Sequence, residues 1–285
     1  MELDERAEPS EPGDALVQAA TGFDSRFLGM DATMPSVPEA ENGASVVLDY
    51  EHFTVVLDTA RRFAAVTGVN IDGARLMQVP RDDRWMFDDR IPADLQAGPE
   101  VYANNDLDRG HLVRRNDPVW GSPEAAARAN TDTFMFTNAA PQASGFNQSR
   151  ELWVGLEDHV LEHARVHDLK LSVFTGPVLA VDDPPYRGIR IPLKFWKIAA
   201  WNTGDALATT GFVVDQSPLV DTDTLPRAPG AVPPLGPFRT FQVPIREIVA
   251  LTGLDMPELV AAEHLPRSVA IAGWRPLGSP GDILV

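Results

Sequence analysis

The sequence predicts an α+β fold in which a central, mostly antiparallel sheet is flanked by helices. Three observations lead to this prediction. Short apolar and β-branched runs typical of strands recur along the chain. One stretch repeats apolar residues at helical spacing. Strands and helices do not alternate as regular β-α-β units, which disfavours a doubly wound parallel sheet. With 285 residues, 44% of them hydrophobic, the chain can bury a substantial core.

The globular part of the chain is predicted to start near Val46, and the first strand is predicted at 53–57. Residues 53–57 and 63–71 are expected to pair, because the second run ends in the turn residues Asn70, Asp72 and Gly73. The apolar run at 133–137 predicts a further buried strand. Three later runs are also predicted as strands: 171–175, 191–200 and 208–214.

Two helices are predicted. Within residues 147–166, apolar side chains recur every four residues, as on the buried face of a helix. The second helix is expected over 243–252, with Gly253 positioned to end it. The proline-rich stretch 217–237 is expected to form a long surface excursion.

The chain is predicted to consist of an acidic, flexible N-terminal tail at 1–20 and one domain at 21–285. The formal net charge is −17, and residues 1–45 alone carry ten acidic and two basic side chains. Basic side chains cluster at 81–90 and 109–115. The acidic total therefore does not exclude an anionic substrate, since a few cations at a cleft can bind phosphate locally.

Composition also limits the compartment and the chemistry. The absence of cysteine excludes disulfides and thiolate metal sites. The N-terminus lacks the apolar stretch of a signal peptide, and no apolar run reaches the ~20 residues of a membrane span. We expect a protein made in the cytoplasm with no membrane partner, for which secretion by a signal-free route stays open.

The segment Asp108-Arg109-Gly110-His111 concentrates groups suited to phosphodiester chemistry. Histidine is the natural general base near neutral pH, and a guanidinium can bind two phosphate oxygens at once. Asp108 can orient a neighbouring group. The structural alternative is a surface ion pair beside an ordinary core histidine.

Two asparagines follow downstream. Asn138 is expected at the end of the strand predicted over 133–137. Asn147 lies at a predicted helix start, where its side chain could simply cap the helix. Alternatively, its carboxamide oxygen is a suitable neutral ligand for Mg²⁺, which keeps most of its waters when few protein groups bind it.

Together these residues resemble the DNA/RNA non-specific endonuclease family, the ββα-metal nucleases that include a secreted bacterial nuclease and mitochondrial endonuclease G. The similarity rests on DRGHL at 108–112, TNAAPQ at 137–142 and FNQ at 146–148, followed by LE at 156–157. A looser similarity extends from about Tyr50 to Gly253.

The resemblance implies roles for individual residues. His111 would be the general base that activates water, and Asn147 the single direct protein ligand of one Mg²⁺. Asn138 and Arg109 would position the substrate or support the site from behind. Asp108 belongs to the same motif.

Two further roles have alternatives. The arginine that stabilises charge on phosphorus is matched best by Arg81, with Arg84 as the alternative. Glu157 matches the glutamate that supports the ion's water shell, but it lies ten residues after Asn147, two more than in the family. Residues ten apart do not share one helical face, and Glu151 is better spaced.

The expected activity is Mg²⁺-dependent, sugar-non-specific endonucleolytic cleavage of DNA and RNA to 5′-phosphate products, with Mn²⁺ or another divalent ion able to substitute. A phosphodiesterase acting on small nucleotides is the alternative, and a non-catalytic nucleic-acid-binding module is a third hypothesis. Besides DNA and RNA, an inhibitor protein and a second copy of the chain are candidate partners.

Overall fold

The computed structural model describes residues 20–38, 44–143, 161–162, 164–220 and 239–284. Its described strands are β1 (Ser45–Tyr50), β2 (Phe53–Asp58), β3 (Phe63–Asp72), β4 (Leu107–His111), β5 (Ala139–Ala143), β6 (Lys170–Val178), β7 (Pro185–Tyr186), β8 (Ile189–Arg190), β9 (Lys194–Asn202), β10 (Leu207–Asp215), β11 (Arg239–Val243) and β12 (Arg275–Leu277). Its described α-helices are α1 (Pro99–Tyr102), α2 (Pro123–Asp132), α3 (Ile245–Thr252), α4 (Pro257–Ala261) and α5 (Arg267–Ala272).

Eight strands form one sheet in the order β1-β2-β3-β6-β9-β10-β11-β12, and every neighbouring pair is antiparallel. Strands β4 and β5 form a separate antiparallel pair, and so do β7 and β8. The predicted α+β class with a mostly antiparallel sheet is confirmed. Each helix within the described residues is too short or too polar to cross a membrane.

The two faces of the main sheet bury separate clusters. Side chains alternate between the faces of a strand, so Val173 and Phe174 of β6 point into different clusters. The cluster with Val173 also contains Leu112 and Ala140, which lie beside or within the β4–β5 pair. This pair is therefore packed on one face of the sheet, and its position depends on that core.

The prediction of a strand over 133–137 is wrong, and so is the placement of Asn138 at its end. α2 ends at Asp132, residues Phe136–Asn138 form a 3-10 turn, and the strand begins only at Ala139. The apolar residues of this run are buried from a turn, with Phe134 and Phe136 at 1% and 2% exposure. A short apolar run indicates burial and does not by itself identify a strand.

The remaining strand predictions are confirmed, with β9 starting three residues later than expected. The second predicted helix is α3, which starts at Ile245 because Val243 ends β11. Gly253 follows it with a φ of 70°, the left-handed conformation that favours glycine. Helix α2 was not predicted, although Ser122 and Pro123 are typical of a helix start.

The structure describes only the end of the first predicted helix. Residues 161–162 and 164–166 are helical, and 144–160 lie outside the described residues. Residues 1–19 of the predicted tail and 221–237 of the predicted excursion also lie outside the described residues. Gly73, after β3, approaches the helix end closely, since its N–H donates to Leu169 O at 2.9 Å.

We expect Gly73→Ala to destabilise the protein. A Cβ at this position would lie 2.1 Å from the backbone oxygen of Ala164, so the chain would have to shift. Overpacking of this kind costs about 1–3 kcal/mol. Chemical denaturation would measure the change, with Gly281→Ala as the control because its nearest atom is 3.7 Å from the added Cβ. Equal stability of the two variants would contradict the expectation.

Candidate active site

The motif at 108–111 lies on β4, which pairs with β5 so that His111 is opposite Ala139 and Gly110 is opposite Ala140. Alternation along a strand directs Arg109 and His111 to one face and Asp108 to the other. The guanidinium and the imidazole are therefore neighbours because of local backbone geometry alone.

Gly110 is required by close packing across the pair. A Cβ there would lie 2.0 Å from Cδ of Gln142, whose side chain is fully buried. The Gln142 side chain thus fills the space that a side chain at position 110 would occupy. This contact fixes the separation of β4 and β5 on the face opposite His111.

Asn138 holds the chain that follows His111. Its Oδ1 accepts from Val113 N at 2.8 Å, and its Nδ2 donates to Val113 O at 2.9 Å and to Thr133 O at 3.0 Å. Its backbone oxygen also accepts from Leu112 N at 3.0 Å. Asn138 is 0% exposed. All the hydrogen bonds described for its carboxamide are with the backbone, so Asn138 fixes the two residues that follow His111 to the turn before β5.

A second buried network anchors the turn just before Asn138. Tyr50 Oη lies 2.6 Å from Thr137 Oγ1 and donates to Asp88 Oδ2 at 2.5 Å. Asp88 also accepts from Arg90 Nη2 at 2.6 Å. Burial and the Asp88 carboxylate raise the pKa of Tyr50, so its hydroxyl stays protonated and keeps donating. The turn is thereby fixed to the main sheet.

Aromatic rings surround the imidazole of His111. The Trp85 ring lies 4.7 Å away between centroids, and the Phe134 ring meets it edge-on at 5.1 Å. The Nε2 atom of His111 is buried and has no hydrogen-bond partner among the described residues. An unpartnered buried polar atom is rare in proteins and often marks a catalytic group or the place of a bound water or ion.

Arginines approach the same rings. The Arg109 guanidinium lies 5.6 Å from the Trp85 ring centre, and that of Arg81 lies 5.6 Å from the Phe134 ring centre. The described contact of Arg84 is with Asp82 at 3.0 Å, and its side chain is 72% exposed. The structure thus brings Arg81 to the surroundings of His111, and pairs Arg84 with a loop aspartate.

Burial, together with the positive charges of Arg81, Arg115 and Arg109, lowers the pKa of His111 to about 3, whereas Asp83 acts in the opposite direction. The imidazole is therefore neutral at neutral pH.

The sequence pattern showed the basic cluster at 109–115 but did not distinguish Arg115 within it. Nor did the pattern identify Phe134 as a neighbour of His111, because the approach of this ring depends on the turn after α2.

The predicted metal-facing residues Asn147 and Glu157, and the alternative Glu151, lie outside the described residues. Among the residues that are described, no three His, Asp or Glu side chains cluster as metal ligands. Asp108, on the opposite face of β4 from His111, is half-buried.

We expect Asn138→Ala to destabilise the protein. It would leave the backbone groups of Val113 and the oxygen of Thr133 buried without partners, at a cost of about 1–3 kcal/mol for each group left unsatisfied. Thermal and urea denaturation would measure the loss. Asn116→Ala is the control because Asn116 is half-buried and only its backbone oxygen is seen to bond. Similar stabilities for both variants would contradict this role.

We also expect His111 to titrate well below its ordinary pKa of 6.5. Between that value and about 3, the unfolded chain takes up a proton that native His111 does not, so this residue reduces stability as the pH falls. NMR titration of the imidazole would give the midpoint directly. Arg81→Gln should raise it, because a neighbouring positive charge is removed. A midpoint near 6.5 in the unmodified protein would contradict the burial of the ring.

Comparisons with known proteins agree with this architecture. The sequence model of the family described as DNA/RNA non-specific endonuclease matches residues 31–263. The uncharacterized protein y4fB of Sinorhizobium fredii (strain NBRC 101917 / NGR234) is 43% identical over 253 residues. That alignment covers 82% of this chain, which spans only 38% of the length of this relative.

Among solved structures, the EndoG/EndoGI complex, reported for the mechanism of EndoG inhibition, contains a similar fold. The TM-score is 0.55 at 20% sequence identity, and the match covers 76% of this chain and 90% of the other. At this identity the similarity concerns the fold. Because the family model spans most of the sequence, the chain belongs to the DNA/RNA non-specific endonuclease family.

Proposed function

We propose that this chain is a metal-dependent endonuclease that hydrolyses phosphodiester bonds of DNA and RNA irrespective of the sugar. One observation carries the proposal. A neutral imidazole with an unbonded Nε2 lies at the end of β4, and arginines flank its aromatic neighbours. A base next to guanidinium groups is the combination that attack of water on a phosphodiester requires.

His111 acts as the general base. Its Nε2 takes a proton from water, and the resulting hydroxide attacks phosphorus. The P–O3′ bond breaks, and the leaving 3′-oxygen takes up a proton from water, which gives a 5′-phosphate and a 3′-hydroxyl. The lowered pKa keeps the imidazole in the neutral form that a general base needs, and an anionic phosphate bound near the arginines would raise its basicity by offsetting their charge. Because Nε2 has no accessible surface, the side chains packed around the ring have to move when water and substrate enter.

Arg109 and Arg81 bind the phosphate. Both guanidiniums lie over rings that also contact His111, so a phosphate bound between them would lie near the imidazole. Their charge offsets that of the pentacovalent transition state. The Arg81 Nε now donates to Asp83 at 2.5 Å, and the phosphate would replace this carboxylate as its partner.

The donor set is compatible with one hydrated Mg²⁺ or Mn²⁺. An ion held by a single carboxamide, that of Asn147, does not need the cluster of acidic ligands that the described residues lack. Glu157 or Glu151 would support its water shell. When bound, the ion would stabilise negative charge developing on the phosphate. In this proposal, Asn138 positions His111 through its hydrogen bonds to Val113.

The second candidate function is hydrolysis of small phosphodiesters. The net charge of −17 favours it, because a strongly acidic protein attracts long polyanions weakly. The candidate partners beyond nucleic acid are an inhibitor protein, as in the solved EndoG/EndoGI complex, and a second copy of the chain.

We expect purified protein to cleave plasmid DNA and RNA with Mg²⁺ and to lose this activity in EDTA. His111→Ala should reduce the rate by at least about 100-fold, the usual contribution of a general base. His264→Ala is the matched control, since His264 is exposed and its ring contacts only Trp201 among the described residues.

Gel assays on plasmid and single-stranded RNA would measure these rates, and bis(p-nitrophenyl) phosphate would report on small diesters. Activity on the small diester alone would favour the second candidate. Undiminished plasmid cleavage by His111→Ala would overturn the role of His111.

A further inference from the structure

A groove of about 900 Å³ begins where the chain leaves β4. Its walls come from residues 73, 74, 76–79, 114–116, 161, 162, 165 and 168. Arg115 lies four residues after His111. The groove is open to solvent and is large enough for more than one nucleotide unit. It therefore extends the surface next to the candidate active site.

Neutral acceptors fix the guanidinium of Arg115. Its Nη1 donates to the backbone oxygen of Val79 and to Oδ1 of Asn130, both at 3.0 Å. These bonds occupy one nitrogen of the fork and leave Nε and Nη2 for other partners. Asn130 is itself buried, so it holds the guanidinium in a fixed orientation.

Other partly buried arginines of this protein bind buried carboxylates. Arg61 pairs with Asp183, and Arg128 donates to Glu51 at 3.1 Å. In the groove itself, Arg165 pairs with Glu162 at 2.5 Å. Among the described residues, no carboxylate forms an ion pair with Arg115. Its bonds orient the charge without neutralising it.

Other positive charges lie near Arg115. Its pKa is lowered by burial and by the charges of Arg81 and Arg114, whereas the carboxylate of Asp83 acts in the opposite direction. Asn130 Nδ2 donates to Pro80 O at 3.4 Å, so the residue that orients Arg115 also contacts the segment leading to Arg81. Like charges held close together repel, and an anion bound among them would relieve this repulsion.

We propose that Arg115 binds a second, non-scissile phosphate of the substrate, so that the groove receives the strand beyond the bond cleaved at His111. This inference rests on the proposed nuclease function and adds a substrate preference to it. Chains with at least two phosphates would be bound better than a single diester. Arg115 would thereby give the enzyme a preference for longer substrates but not for particular bases, because phosphate contacts carry no sequence information.

The test compares Arg115→Gln and Arg115→Lys with the unmodified protein on bis(p-nitrophenyl) phosphate and on DNA oligonucleotides of two to eight nucleotides. We expect Arg115→Gln to raise KM for the longer oligonucleotides at least about tenfold more than for the single diester, as loss of a charged hydrogen bond implies. Arg115→Lys should recover part of this loss, since it keeps the charge without the fork. Arg267→Gln, an exposed arginine on α5, is the control for loss of one charge.

Binding without cleavage provides a second measurement. In EDTA, fluorescence polarisation of a labelled single-stranded octanucleotide would give affinity against salt. Removing one phosphate contact should reduce the slope of log K against log salt by about 0.7. Melting curves would show whether each variant is folded. If Arg115→Gln does not fold, Arg115→Lys is compared with the unmodified protein instead.

Equal losses on the single diester and on oligonucleotides, together with an unchanged salt slope, would overturn the role of Arg115. Absence of cleavage by the unmodified protein on any substrate would overturn the proposed nuclease function instead. The salt slope of binding would still decide whether Arg115 contacts a phosphate.

Discussion

The carboxamide of Asn138 is the constraint on which the candidate site depends. It bonds to both backbone groups of Val113 and to the oxygen of Thr133, and so joins the residues after β4 to the turn before β5. His111 lies between this fixed point and the paired part of β4. The proposed role of His111 as general base requires a defined orientation of its ring, and buried hydrogen bonds behind it supply that restraint.

Charge is distributed unevenly in this acidic protein. Structural arginines such as Arg90 bind buried carboxylates, so their charge is balanced within the fold. Near His111, Arg109 lies over an aromatic ring and Arg115 bonds to neutral oxygens, whereas Arg81 pairs with the exposed Asp83. The charges of these arginines also favour the neutral form of the imidazole. The same arrangement suits both phosphate binding and the protonation state that a general base requires.

The aromatic residues around His111 connect these two features. Trp85 comes from the loop before α1, whereas Phe134 comes from the turn after α2. Their rings contact each other and the imidazole, and each has an arginine over it. Packing of the loop thus sets the burial of His111, and access of water to Nε2 depends on the same contacts.

Local patterns in the sequence were enough to predict five strands of the main sheet, β2, β3, β6, β9 and β10, and to single out the motif at 108–111, whereas β1, β11 and β12 were not predicted. Arg109 and His111 share a face in any strand that contains them. Tertiary structure decided that residues 133–137 form a turn and that Arg81, not Arg84, approaches the imidazole. It also decided that Arg115 is oriented by Asn130. These outcomes depend on contacts between residues that are far apart in the sequence, and local sequence patterns do not predict such contacts.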